Sequence, residues 1–172
     1  MGIPSESMYL RVLKHKAQKN EIFTSYQGMG YHPTYTPNVI LRNLFENPNW
    51  YTPYTPYQAE ISQGRLESLL NYQTMVTELT GVPVANASLL DEATAAAEAM
   101  FMCHSVYGGK KKTFFVSDKI FPQSIAVMKT RAYPIGINVE VGDPNAIDFS
   151  TWDDICGVIV QNPDLEGTIN DW

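Results

Sequence analysis

Among the side chains that could do chemistry here, the histidines are His15, His32 and His104. His32 has a ring that titrates near neutrality and would serve as a general base, but a loop histidine beside Pro33 more often sits at a surface or caps a turn. His15 and His104 lie far apart and lack ligand spacing, so no metal site is predicted. Cys103 and Cys156 are the two cysteines, which gives neither a disulfide framework nor a CxxC site. Buried free thiols are the expectation. Gly28-Met29-Gly30 has GxG spacing, but no strand precedes it, so it predicts a tight loop before His32 and Pro33. The densest group is Trp50, Tyr51, Tyr54 and Tyr57, interleaved with Pro53 and Pro56 and followed by Gln58. Aromatics on a stiff loop either staple onto the next helix or form the edge of a ligand pocket. The residues alone leave both readings open.

The neighbouring elements must position that loop. Residues 1–20 start irregularly and then set Tyr9, Leu10, Val12 and Leu13 against Arg11, Lys14, His15 and Lys16, the pattern of a docking helix. Pro37 to Glu46 predicts a helix capped by Thr36, with Pro37 in its first turn and Val39, Ile40, Leu44 and Phe45 on its apolar face. Asn47-Pro48-Asn49 stops it. After the aromatic loop, a helix from about Arg65 to Thr80 places Leu66, Leu69, Leu70, Met75, Val76 and Leu79 on one stripe. Gly81 ends it in the left-handed region. Ser88 followed by Asp91 fits a capping pattern, and Asp91 and Glu92 suit the positive end of the next helix. That helix is dominated by Ala93, Ala95, Ala96, Ala97 and Ala99, small enough to lie close against a sheet or a facing helix.

Beyond Met100 strands and helices alternate. Thr113 to Ser117 reads as a strand, Pro122 to Ala132 as a helix and Gly136 to Val141 as a second strand. Phe149 to Ile155 reads as a short helix and Gly157 to Gln161 as a third strand. This predicts an α/β region built on a parallel sheet. Three strands alone leave an open edge, so the chain reads as a piece of a longer protein.

The net charge of −6 argues against a nucleic-acid or anionic-membrane binder. Lys110-Lys111-Lys112, beside Gly108 and Gly109, reads as a solvated loop. No apolar run reaches membrane-spanning length, and the N-terminus makes a poor signal or transit peptide.

The run NPNWYTPYTPYQAEISQGRLESLLNYQTMVTELTG, followed by ANASLLDEATAAAEAM, resembles the N-terminal half of the glycine dehydrogenase (decarboxylating) family, the P-proteins of the glycine cleavage system. SYQGMGYHPTYTPNVILRNLFENP fits the same family segment. The resemblance runs from about Asn20 to the end and is strongest from Ser25 to Met100.

It implies an α/β fold: part of the large domain of a fold-type-I pyridoxal-phosphate transferase, preceded by a helical and loop arm. Residues 1–82 would be that arm, with the aromatic loop and an interface helix, and 83–172 the start of the large domain. It further implies part of an enzyme that decarboxylates glycine and passes the aminomethyl group to the lipoyl arm of H-protein. In such enzymes pyridoxal phosphate forms a Schiff base with a lysine and acts as the electron sink. That lysine belongs to the C-terminal half or second subunit, so no residue here is assigned as catalytic. The lysines present agree: Lys14, Lys16, Lys19, Lys110, Lys111 and Lys112 lie in charge-rich segments, Lys119 in a loop and Lys129 on a crossover helix.

In the cofactor-binding half of the family, a Ser-Gly-Ala run at a helix start holds the phosphate. The matching positions here are Asp91, Glu92, Ala93 and Thr94, whose carboxylates would repel a phosphate, so this half would not hold the cofactor. Tyr54, Thr55, Tyr57 and Gln58 would line the active site from across the interface between halves, with Ser62, Gln63 and Gly64 shaping the same turn. The implied partners are the C-terminal half or second subunit, lipoyl-bearing H-protein and glycine, in a homo- or hetero-oligomer. The implied location is the mitochondrial matrix in a eukaryote and the cytoplasm in a bacterium. A non-catalytic module pairing with a complete subunit is the alternative.

Overall fold

The computed structural model describes residues 5–51, 53, 58, 60–87 and 89–172. Two compact units are present, Met1–Tyr35 and Thr36–Trp172.

In the first unit, α1 spans Glu6–Ala17. The Ser5 hydroxyl accepts the Met8 N–H at 3.4 Å, and Lys14, His15 and Lys16 occupy the last turn, where positive charge suits the dipole. Tyr9, Leu10, Val12 and Leu13 are all exposed. Gly28, Met29 and Gly30 have φ of 68°, 59° and 85°, and the Tyr31 N–H closes the turn on the Gly28 carbonyl at 3.3 Å. Met29 thus adopts the left-handed region, which is uncommon without glycine.

The second unit opens with a helical turn, α2 (Asn38–Ile40), that widens into a π-type turn over Leu41–Phe45. Pro37 takes the N-cap position with extended ψ, and no side chain caps the helix, so Thr36 does not play the capping role predicted for it. A long helix, α3 (Gln63–Thr80), follows and ends on Gly81 at φ 71°. Its apolar stripe is only partly covered: no residue of α3 is buried, Leu66, Leu69 and Val76 are half-buried, and Leu70, Met75 and Leu79 are 62%, 51% and 78% exposed.

The core lies in the remainder. Helix α4 (Glu92–Val106) and strand β1 (Thr113–Ser117) are followed by α5 (Pro122–Ala132), β2 (Asn138–Gly142) and β3 (Ile155–Ile159). The sheet order is β2-β1-β3, parallel throughout. Central β1 is buried from Phe114 to Ser117, whereas the flanking strands are partly exposed. Ala97 and Met100 of α4, Phe114 and Val116 of β1, and Met128 and Ala132 of α5 share one apolar cluster. An ion pair between Arg131 and Glu98 ties α5 to α4, with the guanidinium 4.8 Å from the Phe101 ring centre. Phe115 belongs to a separate aromatic group, edge-to-face with Phe149 and Trp152 at 5.2 and 6.0 Å between ring centres.

Several boundaries differ from the sequence reading, each for a local reason. Strand β2 begins at Asn138 because Gly136, at φ 73°, still closes the preceding turn. Strand β3 begins two residues early because Ile155 pairs with Thr113, and Cys156 is the extra residue at the register shift before Gly157 pairs with Phe114. The helix expected over Phe149 to Ile155 is a single 3-10 turn, Phe149–Thr151. Asp148 caps that turn on Ser150, and Trp152, at ψ 87°, leaves it.

Candidate functional site

Ligands of open parallel sheets gather beyond the carboxyl ends of the strands. The His104 Nδ1 lies 2.9 Å from the Lys111 carbonyl, just ahead of β1, so the last turn of α4 sits at the amino end of the sheet. Its first turn therefore points toward the carboxyl end. There Asp91, at the N-cap, accepts the Thr94 N–H at 2.7 Å. That bond from Thr94 holds the Asp91 carboxyl below its ordinary range. Glu92 is exposed in the first turn, Ala93 is buried and Thr94 is half-buried. The helix start thus carries two carboxylates, one of them already occupying a backbone donor. Ser88, predicted to begin this cap, lies outside the described residues.

The segment after β3 folds across the same end. Asp164, only 8% exposed, accepts the N–H groups of Glu166 and Thr168 at 2.9 Å each, and the Asn170 side-chain amide at 3.3 Å. The Leu165 N–H reaches the Lys119 carbonyl at 2.8 Å, and Gln161 Oε1 accepts the Phe121 N–H at 3.1 Å. This seats the segment on the β1–α5 loop. The bond from Thr168, with help from Glu166 and Asn170, lowers the Asp164 pKa. A native value below the unfolded one stabilises the fold above the unfolded value near 3.9 and loses that effect as pH falls through the native value. Protection of the Glu166 and Thr168 amides, measured against their intrinsic exchange rates, is therefore expected to fall on acidification below about pH 4. Asp164→Asn is expected to accelerate exchange at neutral pH and flatten this acid dependence.

A second region borders the aromatic loop. Leu44 and Phe45, Trp50 and Tyr51, and Arg65, Ser68 and Leu69 of α3 line a groove of about 410 Å³. An adjoining groove of about 470 Å³ is lined by Asn49, Trp50, Ile61 and the run 62–65. The two share Trp50 and Arg65. Ser62, Gln63 and Gly64, assigned from the sequence to the turn after the loop, are thus brought onto a groove wall. Gln58 is exposed, whereas Tyr54, Thr55 and Tyr57 lie outside the described residues. The reading from sequence missed Arg65, Ser68 and Leu69 as lining. Arg65, the one basic residue in the sequence of α3 and set in its first turn after an aromatic loop, was the available signal.

None of the eight lysines is buried. Lys119 pairs with Glu166 at 2.9 Å, and that bond raises its pKa. Lys111 lies 4.8 Å from the Tyr107 ring centre. His32 is exposed. Cys156 is buried and Cys103 half-buried, both as free thiols, and burial pushes the Cys156 thiol up. Among the described residues, no three His, Cys, Asp or Glu side chains are placed to hold a metal, and no helix is long and apolar enough to cross a membrane.

Comparison with known proteins decides the family. The model of the glycine cleavage system P-protein family matches residues 3–172. This chain belongs to that P-protein family. The mitochondrial glycine dehydrogenase (decarboxylating) of Solanum tuberosum is 58% identical over 168 residues, which is 98% of this chain and 16% of the relative. The mitochondrial enzyme of Dictyostelium discoideum is also 58% identical, over 97% of this chain and 17% of its own length. The chain thus spans about a sixth of the length of these P-protein relatives. A crystal structure of glycine decarboxylase (P-protein) of the glycine cleavage system, in inhibitor-bound form, superposes with a TM-score of 0.80 at 30% identity. The match covers 99% of this chain and 40% of that one. The α/β class read from the sequence is the class of this P-protein segment.

Proposed function

We propose that this chain is a supporting part of a glycine decarboxylase that lacks the Schiff-base lysine, acting in glycine decarboxylation and aminomethyl transfer to the lipoyl group of H-protein. The observation that carries this reading is the family match along essentially the whole chain. In this reading residues 1–82 form the arm and 83–172 the start of the large domain. Tyr54, Thr55, Tyr57 and Gln58 serve the active site from across the interface, and the Trp50–Arg65 grooves adjoin it.

Pyridoxal phosphate is the cofactor of the complete enzyme in this reading, and the residues present here do not fit it. The carboxylates of Asp91 and Glu92 stand at the helix start where a phosphate would need neutral donors. None of the lysines is buried, as a desolvated amine nucleophile would be. No catalytic step is therefore assigned to this chain. Its partners are the C-terminal half or second subunit of P-protein, lipoyl-bearing H-protein and glycine, within a homo- or hetero-oligomer. A matrix location follows the mitochondrial relatives if the source is eukaryotic.

The test is to mix the purified chain with a C-terminal half carrying the lysine. Cofactor absorbance and glycine–bicarbonate exchange are recorded with and without that half, and association is followed by light scattering. Exchange that this chain raises above the level of the C-terminal half alone supports the proposal. Association without exchange supports a non-catalytic pairing module instead. An imine absorbance from this chain alone overturns the reading of Asp91 and Glu92.

A further inference from the structure

We draw no further inference here: the strongest candidate, the exposed part of the apolar stripe of α3 around Leu70, Met75 and Leu79, carries nothing because the structure does not show what covers it.

Discussion

Gly157→Val is expected to cost the α/β region most or all of its cooperative unfolding transition, and Gly157→Ala to lower its stability by about 1–3 kcal/mol. A Cβ at this position of β3 would lie 2.8 Å from the Phe114 ring and 2.9 Å from the Cys103 sulfur. Phe114 is fully buried, so its ring has little room to withdraw. Helix α4 therefore approaches the sheet at this point because residue 157 has no side chain. Stability totals of about 5–15 kcal/mol are typical for a domain, so the larger valine reaches the range that unfolds it. Urea titration followed by circular dichroism measures the loss. Adding Cys103→Ala to Gly157→Ala is expected to recover part of it, because one of the two obstructing groups is removed. A neutral Gly157→Ala would refute the close approach.

Phe115→Ala is expected to destabilise by about 3–5 kcal/mol through the cavity it leaves. Phe115 is 1% exposed and contributes the ring that Phe149 and Trp152 both meet edge-on. Those two residues sit on the connection from β2 to β3, which carries 3-10 turns and no longer helix. With so little secondary structure there, the aromatic trio is the chief apolar anchor of the connection. Phe149→Leu keeps apolar bulk and is expected to cost less than Phe115→Ala. Comparing the two urea midpoints separates loss of the trio from general damage to the core. No measurable loss from Phe149→Leu would show that the ring contacts themselves contribute little.

What could be read from residues alone follows how local the cause was. Strand β1 and helix α5 have the predicted limits, because a short apolar run and a helix opened by Pro122 are set by adjacent residues. Gly81 ends α3 as expected for the same reason. The start of β3 was misplaced because a register shift against a strand about 40 residues earlier decides it. The turn at Phe149 was misread as a helix because Asp148 and Phe115 fix it, neither of which alters the helical look of the run. The family was legible from the long match around the aromatic loop. The Trp50–Arg65 grooves were not, since three separate segments converge to make them. The apolar stripe of α3 was read correctly as a stripe, but periodicity says nothing of what lies against it.

The order β2-β1-β3 also sets a timetable for the nascent chain. Strand β1 is the centre of the sheet, yet its second neighbour is made last, so one edge of β1 stays unpaired until residues 155–159 have left the ribosome. At about 5–20 residues per second, the interval between the end of β2 and the end of β3 lasts roughly 1–3 s. During that interval Phe114 and Phe115 lie next to an open strand edge, the arrangement most prone to pairing with another chain. A chaperone that shields apolar segments has its clearest opportunity there, and synonymous codons that slow translation between residues 142 and 155 would lengthen the exposure.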